Sequence, residues 1–196
     1  MRRSRRGREK DDLLFTRYVA LLRGINVGRA NRVAMADLRS LVADIGYTGV
    51  RTLLNSGNVL FDAPVTDTAE VAKRVEEALH ARLHVSVQVI VLSAAELAAV
   101  IDENPLLGIS SDPARLMVSF RREPVDPRPL EPLLQQDWSP EALALGKRAT
   151  YLWCPAGFIK SRLAQAVARV LGDSVTTTRN WATVMKLHAL ANADQD

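Results

Sequence analysis

The chain predicts an α+β fold built from two tandem βαββαβ subdomains, and three observations support it. Strand-like and helix-like periodicities follow one another in the same order twice. Each copy contains two short apolar runs separated by a tight polar turn, the mark of an antiparallel hairpin. The 196 residues are 47% hydrophobic and 24% charged, the balance of a globular chain, and no apolar run approaches the ~20 residues of a membrane span. The order βαββαβ is the split βαβ, or ferredoxin-like, unit. Two such units without visible sequence repeat read as a duplication of structure.

The elements follow in order. Residues 1–16 form a basic arm without apolar periodicity, expected to be disordered. A strand over 17–23 is a short apolar run ending at Arg23-Gly24, the pattern of a strand buried on both faces. The loop 24–31 carries Gly24 and Gly28 with Asn26 and Asn31. Met35, Leu38, Leu41, Val42 and Ile45 then fall at helical spacing, and Gly46 suits the position just past a helix end. Residues 50–54 and 58–62 pair as a hairpin around Asn55-Ser56-Gly57-Asn58. Asp67 and Glu70 open a helix to about 83, with Val71, Val75 and Leu79 inward, and strand four covers 86–92.

Residues 93–114 link the two units through a helix capped by Ser93 and Glu96 and ending before Asn104-Pro105. The pattern then restarts over 115–191: a strand at 115–121, a short helix at 129–136, and strands at 141–146 and 149–154. A helix stripe of Ile159, Leu163, Val167 and Val170/Leu171 follows, closed by Gly172. A final strand at 174–177 and a helix over 180–191 complete it, leaving a short tail at 192–196.

Charge and cysteine usage limit the partners. Residues 1–12 hold six Lys/Arg against three acids, which leaves only +1 of the +4 net charge for the rest of the chain. A polyanion partner is therefore weakly supported. The single Cys154 cannot form an intramolecular disulfide, which fits a reducing, cytoplasmic setting.

Topology gathers the polar residues. In a ferredoxin-like sheet of order 4-1-3-2, strands one and two run the same way, so the loop 24–31 and the turn 55–58 emerge at one edge. Arg23, Asn26, Asn31, Ser56 and Asn58 should crowd there. A second candidate is Thr176–Trp181, where hydroxyls, Arg179 and Asn180 open a helix and attract anions. Lys186 lies two turns further on.

These motifs carry a resemblance. Residues 18–28 (YVALLRGINVG), 55–59 (NSGNV), Asn104-Pro105 and 178–187 (TRNWATVMKL) resemble the domain-of-unknown-function family 1697, over nearly the whole chain beyond the arm. The resemblance implies two ferredoxin-related α+β subdomains and no established activity. Arg29 and Ala34 stand where members often have glycine and proline.

Other chemistry is thinner. Gly24–Gly28 matches neither nucleotide-binding glycine fingerprint. No serine has a lysine three residues on, as the serine acylases require. His80 and His84 have zinc-pair spacing but lack the glutamate between them and a cysteine nearby, so neither metal nor cofactor is expected. Cys154 reads as a packed small residue. No acid–base pair stands out, which leaves enzyme status open. The favoured reading is a small phosphate- or carboxylate-bearing ligand held between the subdomains by Arg23, Asn26, Asn31, Ser56, Asn58, Arg179, Asn180 and Lys186. The alternatives are a nucleic-acid-binding protein, disfavoured by the ten aromatics at core spacing, and a scaffold with purely structural polar clusters.

Overall fold

A computed structural model describes residues 14–27, 31–172 and 174–193. The expected arm falls mostly on 1–13, outside the described residues, as do 28–30 of the glycine loop and 194–196 of the tail. Eight strands, six α-helices and one 3-10 turn are present among the described residues.

The first sheet contains β1 (Phe15–Leu22), β2 (Thr48–Leu53), β3 (Asn58–Pro64) and β4 (Val89–Ser93), with helices α1 (Met35–Asp44) and α2 (Thr68–Leu83) between them in the chain. Its strand order is β2-β3-β1-β4, all antiparallel neighbours. That is the order expected, read from the other edge. The second sheet contains β5 (Leu116–Arg121), β6 (Ala142–Leu145), β7 (Ala149–Trp153) and β8 (Thr176–Asn180), in the order β6-β7-β5-β8. Its helices are α4 (Glu131–Leu134) and α5 (Arg162–Leu171). Helix α3 (Ala94–Asp102) joins the two sheets and α6 (Trp181–Asn192) ends the fold.

Strand alternation explains the layers. Tyr18, Ala20 and Leu22 of β1 face α1 and α2 in one core. Val19 and Leu21 face the opposite way, into a core shared with Leu116, Val118 and Phe120 of β5 and with Trp181, Val184 and Leu187 of α6. Strand β1 is thus buried on both faces, as its unbroken apolar run requires. A third, smaller core packs Leu152 and Cys154 against α4 and α5 on the far side of the second sheet.

Local chemistry accounts for the ends of the helices. Ser93 accepts from Glu96 N while Glu96 accepts from Ser93 N, a complete capping box on α3. The box expected at Asp67 is only half made: Asp67 accepts from Ala69 N, and Glu70 pairs with Arg74 instead. Ile159 and Val170 leave the expected stripe. Ile159 lies in the exposed 3-10 turn Phe158–Lys160, and the buried face of α5 is Leu163, Ala164 and Val167.

One free sheet edge is closed by charge. Strand β4 presents its outer backbone groups to side chains: Val89 N donates to Glu76, Arg122 donates to Val89 O at 2.6 Å, and Arg148 donates to Val91 O at 3.4 Å. Arg122 also pairs with Glu76, and Arg148 with Glu96 at 2.7 Å. Both arginines come from the second half of the chain. They cover an edge that would otherwise template further pairing and tie the two sheets together.

The largest boundary correction is at β8. The expected strand ended at 177 and the helix began at 180, whereas the strand runs Thr176–Asn180 and α6 starts at Trp181. Three successive β-branched threonines favour extended backbone, and they carry Arg179 with them into the sheet.

Candidate functional site

Strand register decides what Arg179 does. It pairs with Val118 across β5 and therefore points, like Val118, into the core between the sheets. It is only 9% exposed. A guanidinium offers five N–H donors, and all five are used. Nε donates to Asn58 Oδ1 at 2.6 Å, Nη1 to Thr177 Oγ1 and Thr178 O, and Nη2 to Leu22 O at 3.0 Å and Ser56 O at 2.9 Å. Burial pushes its pKa down to about 10, so it stays charged at neutral pH. Its acceptors are all neutral carbonyls and a hydroxyl.

Around it, the loop and the turn meet as the topology requires. Asn26, in the left-handed region at φ 56°, donates to Asn55 O at 2.8 Å across the gap. It also exchanges two hydrogen bonds with the Val33 backbone. Leu22 N donates to Gly57 O at 2.8 Å. Asn58, fully buried, donates to Leu53 O and to Ser56 Oγ while accepting from Arg179. Gly57 sits at φ +74°, where an added Cβ would lie 2.8 Å from Leu22 Cβ. Only glycine fits.

The rim residues therefore satisfy one another. Arg179, Asn58 and Asn26 come together as expected, but their polar atoms are engaged by the protein. Asn31 contributes its backbone oxygen to Asn26 N. Asn180 caps α6 by accepting from Thr183 N and Oγ1. Lys186 stands exposed on α6, away from the cluster, with no hydrogen bond or ion pair among the described residues. A strand position, not a helix start, is the reason for the difference at Arg179.

Arg23 is the exception. It is exposed, and its Nη1 donates to Gln88 Oε1 at 2.9 Å and reaches Ser174 O at 3.5 Å. Its side chain thereby crosses from the first sheet to the approach to β8. There it lines the mouth of a cavity of about 110 Å³. Ser119, Thr176 and Thr178 form one side of that cavity, and their hydroxyls have no hydrogen-bond partner among the described residues. Ser119 and Thr178 are directly opposite each other across β5 and β8, and Thr150 lies opposite Ser119 on β7. The three make a row of hydroxyls on one face. Thr150 Oγ1 is buried and unpartnered. Leu152, on the same face of β7, adds an apolar patch to the sheet side, and the other wall is apolar: Phe158, with Ala164, Val167, Ala168 and Leu171 along one stripe of α5.

Ser119 is not among the residues that the motifs single out. The available signal was a lone hydroxyl in the apolar strand 116–121, one face of which reads Met117, Ser119, Arg121. Gln88 carried no signal of its own.

Cys154 is fully buried and its thiol is held up by that burial. His80 meets Ser86 at 3.1 Å, and among the described residues no three metal-ligating side chains converge. Of the sheet aromatics, Tyr18, Phe61, Phe120, Tyr151 and Trp153 are buried and Phe15, at the start of β1, is exposed, so a single ring is left for stacking bases. No described helix is long and apolar enough to cross a membrane.

The model of the family described as "Protein of unknown function (DUF1697)" matches residues 15–151, and the chain belongs to that family. Among solved structures it is similar to the conserved bacterial protein SP0830 from Streptococcus pneumoniae. The TM-score is 0.74 and the identity 26%, over 91% of this chain and 99% of that one. No curated protein matches.

Proposed function

We propose that the protein binds a small anionic ligand, phosphate- or carboxylate-bearing, in the cavity between the end of β1 and the α5 face of the second sheet. One observation carries the reading: the exposed Arg23 guanidinium stands over the unpartnered hydroxyls of Ser119, Thr176 and Thr178. Arginine is a planar, permanently charged donor suited to such groups, and free hydroxyls in a confined cavity supply the remaining hydrogen bonds. The two-subdomain arrangement is part of the proposal. Residues 17–92 and 115–191 are taken as two ferredoxin-like copies, supported by their shared wiring and strand order, so the ligand sits where one copy reaches over the other. A cytoplasmic setting fits the single buried Cys154.

A thermal-shift panel of small anions tests this. A ligand at a hundred times its Kd adds about 2.7 kcal/mol, which raises Tm measurably. Arg23→Gln should abolish that rise while leaving the ligand-free Tm within a degree or so, because the side chain is exposed. A rise that survives Arg23→Gln refutes the assignment of the anion to this cavity.

A further inference from the structure

The two walls of the cavity differ in kind, and the geometry points to a short-chain monocarboxylate with an alkyl tail as the ligand. This rests on the anion-binding reading above and narrows it. The sheet wall gives hydroxyls from Ser119, Thr176 and Thr178, and the mouth gives Arg23. Together they match a carboxylate head, which accepts several hydrogen bonds and pairs with a guanidinium. The opposite wall is Ala164, Val167, Ala168 and Leu171, spaced i, i+3, i+4 and i+7 on α5, with Phe158 beside it, while Leu152 adds an apolar patch to the sheet face. That wall offers no donor to a phosphate oxygen.

Size narrows the choice further. A cavity of about 110 Å³ admits only a small molecule. A free tetrahedral phosphate would have oxygens facing methyl and methylene groups on one side, a desolvation without compensation. A carboxylate bearing two to four further carbons places its charge at Arg23 and its tail on α5.

Titration of the full chain by calorimetry with acetate, propionate, butyrate, isovalerate and inorganic phosphate, at constant ionic strength, tests the class. Each added methylene that contacts the wall should tighten binding about three- to fourfold, so butyrate should exceed acetate by about tenfold. Ala168→Phe, on the α5 wall of the cavity, should erase that chain-length gain. Thr178→Val should weaken every carboxylate. Phosphate binding as tightly as butyrate, with both dependent on Arg23, would overturn this inference and leave the anion reading standing. Absence of binding by every anion would overturn both. The chain-length series on the unaltered protein decides the matter even where a variant fails to fold.

Discussion

Arg179 Nε donates to Asn58 Oδ1 at 2.6 Å, joining residues 121 positions apart. That bond fastens β8 of the second sheet to the hairpin turn of the first, and the same guanidinium also holds Leu22 O and Ser56 O. One side chain thus ties together the end of β1, the turn before β3 and its own strand. Removing it should leave several acceptors unpaired, among them the fully buried Asn58. We expect Arg179→Ala to cost about 2–4 kcal/mol. Arg179→Lys should recover less than half, because an ammonium has three donors and no fixed fork. Urea unfolding of the two variants measures both numbers, and a cost under about 0.5 kcal/mol for alanine would contradict the clamp.

Two glycines at the same rim separate backbone strain from steric conflict. Gly24 and Gly57 both have positive φ, but a Cβ at Gly24 meets nothing within 4 Å, while one at Gly57 meets Ile25 Cδ1 at 2.7 Å and Leu22 Cβ at 2.8 Å. Gly24→Ala should cost about 1 kcal/mol from conformation alone. Gly57→Ala should cost that plus about 1–3 kcal/mol of overpacking. Equal shifts in denaturation midpoint would mean that the turn is looser than described.

The charged cover on β4 predicts an aggregation phenotype. Arg122→Ala with Arg148→Ala would expose Val89 O and Val91 O on an edge strand and leave Glu76 and Glu96 without their cations. Light scattering on heating should show self-association at a lower temperature than in the unaltered chain. Unchanged scattering with only a modest loss of stability would reduce these arginines to ordinary ion pairs.

Much of this was legible in the chain. The wiring followed from periodicity and from turn chemistry at Asn55–Asn58, where a glycine flanked by asparagines marks a hairpin. The meeting of Asn26 with Asn55 followed from parallel strand directions within an antiparallel sheet. What was not legible was occupancy. Asn26 and Asn58 look like ligand donors in print because a sequence does not show which backbone groups need partners. Arg179 reads in the sequence as part of a helix start because the Thr176–Asn180 strand and the α6 cap adjoin without a break, and one residue either way decides whether the guanidinium faces core or solvent. The α5 cavity depends on how far a helix stands from a sheet, which no spacing rule gives.

Cys154 supplies a pH prediction. Burial, opposed by a hydrogen bond with Ser161, raises its thiol above the ordinary 9.0. The native state therefore keeps a proton that the unfolded chain releases. That contribution to stability is whole below pH 9 and fades as pH rises beyond it. Buried Tyr47 and Tyr151 act in the same direction from 10.0. The urea midpoint should fall from pH 9 upward, with Cys154→Ala removing the earliest part of the fall. Labelling by a thiol reagent at pH 8 should be roughly a hundredfold or more slower in the native chain than in urea; prompt labelling would contradict the burial.

The most direct measurement is amide chemical-shift mapping of the isotope-labelled chain titrated with butyrate. The account predicts saturable shifts centred on Arg23, Ser119, Thr176 and Thr178, with the Ala164–Leu171 face of α5 following. Shifts centred instead on Asn26, Ser56 and Lys186, or none at saturating butyrate, would contradict it.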